Sequence, residues 1–217
     1  MKRVIFYFDG FNFYNGLKDM CDKEPQWKNY YWIDLFKFCS QFVHEHEGSI
    51  LTLVKYFTAP PQNALKRSKQ SAFLSANKLI NGDKFISYPG HYTTKEVVCF
   101  ASCKQRFTVP EEKCTDVSLA LNIIMDCVDD IVDTVVLITA DSDQIPTIKM
   151  LKAKFPSKKL KVYFPPCRNS TDIRNQVGQV VFLENHEDKF KASKMHGEVI
   201  VGNKKYTRPS EWKAKST

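Results

Sequence analysis

Short apolar runs punctuate this chain at intervals that leave room for a helix between each pair, and that alternation restricts the fold more than any other feature. Val4–Phe8 and Ile50–Phe57 read as buried strands, Phe85–Tyr88 as a weaker one, and Thr134–Thr139 and Leu160–Phe164 as two more. Helical segments are expected from Asp34, a fitting N-cap, to about His46, and over Ala64–Ile80, where Leu65, Ala72, Ala76 and Leu79 make a rough stripe. Two more are expected from Asp116 towards Cys127 and from near Asp143, where Pro146 falls in a first turn, and another after Ser170 or Thr171. Strands alternating with helices imply βαβ units, a parallel sheet and right-handed crossovers. The fold class expected is α/β, a Rossmann-like three-layer α/β/α sandwich around a mainly parallel sheet. At 217 residues the chain is long enough for one full core, with residues 1–185 as the domain and 186–217 as a basic tail.

Parallel sheets of this kind carry their sites outside the carboxyl ends of the strands. Asp9 directly follows the first strand, Asp141 and Asp143 follow the fourth, and Asp116 opens a helix facing the same edge. Clustered carboxylates repel one another unless a cation neutralises them. Hard oxygen donors suit Mg²⁺ or Mn²⁺, which bridge to phosphate oxygens and activate water. Each aspartate taken alone reads equally well as a helix N-cap. Four at one sheet edge read as a metal site. Asn12, three residues after Asp9, is placed to orient a ligand or water.

The blocks FYFDGFNFYNGL, VKYFTAPP, PEEKCTDVSLALNIIMD, TVVLITADSDQIPTI and YFPP, taken in order, resemble the NYN domain, in the LabA-like branch of the PIN-like nuclease superfamily. The resemblance runs from Val4 to about Leu183, with a weaker match over Tyr206–Trp212. It implies a PIN-like sandwich with a metal-dependent ribonuclease centre, metal ligands at Asp9, Asp116, Asp141 and Asp143, and a polar companion at Asn12. It also implies a departure. Many relatives carry an acid where this chain has Asn122, and an amide there would weaken metal binding or turnover. The competing reading is therefore an inactive RNA-binding or regulatory module on the same fold. A haloacid-dehalogenase-type phosphatase would need an acid where Phe11 stands, and the turn DGFNFYNG lacks the glycine spacing of a dinucleotide cradle.

The net charge of +8 suits a polyanionic partner, and the resemblance implies that this partner is RNA. Lys113 and Arg168 are the basic residues best placed by sequence to reach the site. Lys66, in an acid-free stretch with Arg67, Lys69 and Lys78, and Ser142, between two of the aspartates, complete the substrate-side candidates. Phe11, Phe13 and Tyr14 follow the turn; one is a candidate to stack on a base, but core packing is the preferred reading for most of them, since a helix must cover the sheet there. Seven cysteines, an odd and scattered set, favour reduced thiols in a cytoplasmic setting. His91, Cys99, Cys103 and Cys114 make a conceivable zinc set in an irregular insertion over 88–112. The spacing fits no standard pattern, and free cysteines in a hairpin are preferred. MKRVIFYFDG reads as a strand rather than a signal peptide, and no apolar run is long enough to span a membrane. In the tail, Glu198–Val201 and Lys204–Thr207 around Gly202-Asn203 form a hairpin signal. Arg208, Pro209 and Trp212 are expected either to dock back or to offer phosphate contacts. Oligomeric state is left open, a homodimer among the options.

Overall fold

A computed structural model describes residues 1–100 and 103–214. Ala101 and Ser102 of the expected insertion, and the last three residues of the tail, lie outside the described residues. Six strands form one sheet: β1 (Lys2–Asp9), β2 (Ser49–Thr58), β3 (Phe85–Pro89), β6 (Thr134–Ile138), β7 (Lys159–Phe164) and β8 (Val180–Phe182). They run parallel in the order β3-β2-β1-β6-β7-β8. Chain progression reverses between β1 and β6, which opens a crevice beyond their carboxyl ends.

Alternation along β1 divides the core between two faces. Val4, Phe6 and Phe8 point to one side, where they pack with Phe13 and Leu17 of α1 (Gly10–Lys23), Leu35 and Phe38 of α2 (Leu35–Ser40), and Phe73 of α3 (Ala64–Asn81). Ile5 and Tyr7 point to the other side. They meet Leu119 and Ile123 of α4 (Thr115–Val128), Ile148 and Leu151 of α5 (Ile145–Lys154), and Ile173 of α6 (Thr171–Val177). Two helical layers thus cover a sheet buried on both faces, which is why its strands are near-continuous apolar runs.

The helix expected from Asp34 to about His46 stops at Ser40. There the Gln41 side-chain amide donates to Lys189 O and Ser193 Oγ. The stretch from His186, read above as a tail, enters the first core through Phe190 of α7 (Glu187–Ala192), Met195, Val199 and Trp212. The expected hairpin is present as antiparallel β9 (Glu198–Val201) and β10 (Lys204–Thr207). Trp212 docks between Tyr31, Trp32 and Phe73.

The insertion is a second hairpin, β4 (His91–Val98) paired antiparallel with β5 (Arg106–Lys113). His91 pairs with Lys113, next to Cys114, at its base, whereas Cys99 and Cys103 lie beyond the far strand ends. A strand of this length separates the two ends by about 25 Å. The four residues of the conceivable zinc set therefore do not converge. No helix among the described residues is long and apolar enough to cross a membrane.

A charged network crosses the second core. Lys55 Nζ of β2 lies 2.8 Å from the Asp126 carboxylate of α4, and the Tyr7 hydroxyl donates to the same carboxylate at 2.6 Å. Lys55 also donates to Asn122 Oδ1 at 3.2 Å, while the Asn122 amide donates to Ser118 O. Asn122 is thus part of the support that satisfies a buried ammonium.

Candidate metal centre

Asp9 is the last residue of β1 and caps α1: its Oδ1 accepts from the Asn12 backbone N–H at 2.9 Å. Gly10 permits this tight exit, because a Cβ there would lie 2.5 Å from the Tyr56 ring and 2.6 Å from Phe57 O. The other Asp9 oxygen accepts from the Thr139 hydroxyl at 2.8 Å, and Thr139 Oγ1 accepts in turn from the Asp141 N–H at 3.0 Å. Asn12 closes the loop, its Oδ1 accepting from Ala140 N at 3.1 Å. The ends of β1 and β6 are therefore laced together by side chains at the point where the sheet order reverses. Asp141 caps the short turn after β6 by accepting from Asp143 N at 3.0 Å.

Asp116 reaches the same crevice from α4. Cys114 provides the helix N-cap position with φ 73° and no side-chain cap, so Asp116 lies inside the first turn and is not the cap. The buried Gln144 amide approaches Asp116 Oδ1 at 3.5 Å and is itself oriented by Thr147, which donates to Gln144 Oε1 at 3.2 Å.

Asp9, Asp116 and Asp141 each offer an oxygen within 4.8 Å of the other two. Capping and clustering are thus compatible for Asp9 and Asp141. Asp143, expected as a fourth member, is outside this group. Its backbone N–H supports Asp141 while its side chain is exposed, because the short turn carries it past the crevice. Burial pushes the Asp9 carboxyl up to about 7, with Asp116 and Asp141 adding to the rise and the bonds from Asn12 and Thr139 opposing it. A divalent cation would remove that penalty, and the all-oxygen donor set fits Mg²⁺ or Mn²⁺.

Around the carboxylates is a cavity of about 310 Å³ whose walls include Asn12, Lys113 and Phe11. Lys113, as expected, stands at the site. Lys66 stands instead on the wall of a neighbouring cavity, and Ser142 is exposed in the turn between Asp141 and Asp143. Arg168 is held elsewhere, its Nη2 donating to Asp19 of α1 at 2.6 Å. Asp19 is ten residues beyond Asp9, about 15 Å along a helix, so the guanidinium is committed away from the carboxylates. Thr139 and Gln144 are the residues that sequence reasoning missed. The spacing Thr139-Ala140-Asp141 after a strand carried a signal for the first; nothing local marked Gln144.

The chain matches no family model. It is 26% identical to 6-hydroxy-3-succinoylpyridine 3-monooxygenase HspA of Pseudomonas putida (strain DSM 28022 / S16), over a 181-residue alignment that takes in 70% of this chain and 56% of the relative. The chain thus spans little more than half the length of that relative. A crystal structure of VPA0982 from Vibrio parahaemolyticus RIMD 2210633, a protein of unknown function, superposes with a TM-score of 0.52 at 19% identity, covering 84% of this chain and 93% of the other. That likeness establishes a shared α/β sandwich fold.

Proposed function

We propose that this chain hydrolyses RNA phosphodiester bonds at a Mg²⁺ or Mn²⁺ centre held by Asp9, Asp116 and Asp141, as its resemblance to NYN domains implies. The observation that carries the reading is the convergence of three carboxylates from three separate elements at the point where the strand order reverses. Such an ion lowers the pKa of bound water and offsets charge on a phosphoryl group. The chain's own residues do the rest. Thr139 and Asn12 fix the spacing of Asp9 and Asp141 through the hydrogen bonds between the two strand ends. Gln144 restrains Asp116. Lys113, on the cavity wall, supplies positive charge for a phosphate. The free thiols fit a reducing, cytoplasmic setting.

Cleavage of single-stranded and structured RNA with Mn²⁺, with Mg²⁺ and with EDTA, wild type beside Asp141→Asn, tests the reading. Activity that needs the metal and is lost in the variant supports it; equal activity in every lane sinks it. A second reading, RNA binding without hydrolysis, draws on the position of Asp143 outside the carboxylate group. Retained RNA affinity with no metal-dependent cleavage would favour it. The Pseudomonas relative's name describes oxygenation of a pyridine. The turn after β1 lacks dinucleotide-cradle glycines, so hydrolysis is placed ahead of that chemistry.

A further inference from the structure

Beside the carboxylates, on the other side of Phe11, is a larger cavity of about 400 Å³ between α1, α3 and the C-terminal turn. Phe11 lines both cavities, so the two are neighbours on either side of one side chain. The wall of the larger one is a run of aromatic rings. Tyr14 and Tyr31 have centroids 5.4 Å apart, Tyr31 and Trp212 5.4 Å, and Trp212 and Phe73 6.3 Å. Phe73 and Trp212 are core residues, but Phe11 and Tyr14 are 54% and 39% exposed. Core packing does not account for two rings left open to solvent at the mouth of a cavity.

The polar groups are as particular as the rings. Lys66 and Lys69 belong to the lining, and Lys69 Nζ is fixed 2.9 Å from Glu211. Gln70 spends its amide nitrogen on Thr58 Oγ1 at 2.9 Å and Ala59 O at 3.3 Å, which leaves its Oε1 to accept a hydrogen bond. Aromatic faces, a cationic flank and a fixed acceptor match one nucleotide unit: a flat base, its attached phosphate and a base N–H donor.

We propose that this cavity is a base slot that seats one unpaired nucleobase of a single-stranded RNA, next to the phosphate held over Asp9, Asp116 and Asp141. The slot rests on the ribonuclease reading for its orientation. It adds that recognition is of single strands, because a paired base cannot enter, and that the C-terminal segment carrying Trp212 builds part of the substrate site.

The test uses the full chain and a single-stranded pentauridylate, with five versions each lacking one base, titrated in Ca²⁺ and followed by tryptophan emission. Of the three tryptophans Trp212 lines the cavity while Trp27 and Trp32 do not, so Trp212 is the reporter, and the binding signal is expected to be lost in Trp212→Phe. Losing the base at one position should weaken binding about five- to hundredfold, the range for one stacked base, while the other positions matter less. Tyr14→Ala should weaken the intact oligonucleotide by a similar factor and leave the version lacking that base unchanged. Indifference to every abasic position, equal weakening of both ligands by Tyr14→Ala, or no binding of any oligonucleotide overturns the slot. Cleavage in Mn²⁺ is scored separately. Cleavage without position dependence retains the nuclease and removes the slot; position-dependent binding without cleavage does the reverse.

Discussion

Replacing Asp9 by asparagine should stabilise the metal-free protein, although it destroys the metal centre. In the folded chain the Asp9 carboxyl is pushed from 3.8 up to about 7, first by burial and then by Asp116 and Asp141. The folded state therefore holds a proton that the unfolded chain releases near pH 4. Stability from this group is fully present below about pH 4 and is lost as pH rises through about 7. At about 1.4 kcal/mol per pH unit, the gap amounts to about 4 kcal/mol by pH 8. Asparagine is neutral and keeps an oxygen for the Asn12 N–H, but the Thr139 hydroxyl loses its acceptor, at a cost of about 1 kcal/mol. The net gain of about 3 kcal/mol corresponds to a melting point about 6–12 °C higher for a domain of this size. Calorimetry in EDTA from pH 4 to pH 8 should show the two proteins diverging as pH rises. Mn²⁺ should then raise the wild-type melting point by mass action and leave the variant unmoved. An Asp9→Asn protein that melts at or below wild type at pH 8 without metal refutes the account of Asp9 as a buried, frustrated carboxylate.

Thr139→Val removes the hydroxyl that donates to Asp9 and accepts from Asp141 N, and should lower Mn²⁺ affinity about tenfold or more by calorimetric titration, with Thr139→Ser restoring it. Asp126→Leu strands the buried Lys55 ammonium and should cost about 3–5 kcal/mol in urea unfolding. The double variant Lys55→Met/Asp126→Leu should recover most of that loss, and equal costs would show that the charge is not the cause. Gly10→Ala forces a methyl against the Tyr56 ring and Phe57 O, so both thermal stability and Mn²⁺ affinity should fall. An unchanged alanine variant would mean that the turn after β1 relaxes freely.

The local pattern of the chain determined the sheet. Val4–Phe8 and Thr134–Ile138 are runs that a doubly covered parallel strand buries completely, and between Ile138 and Leu160 the chain has room for one helix and its turns. Asp9 and Asp141 were legible for the same reason, since a residue at the end of such a strand has one edge to face. The short β8 was not legible, because three half-buried residues carry no periodicity. Tertiary structure decided what periodicity cannot encode, namely which side chains at one edge come within contact distance. It brought Asp116 to Asp9 and Asp141 through the left-handed residue Cys114, left Asp143 outside, and tied Arg168 to Asp19. It also folded the basic C-terminal stretch inward, because Phe190 and Trp212, dispersed among lysines in the sequence, complete a core that α1, α2 and α3 leave open. Charge count describes what a segment offers to solvent; a few large aromatic residues, each burying about 150–250 Å², decide where it lies.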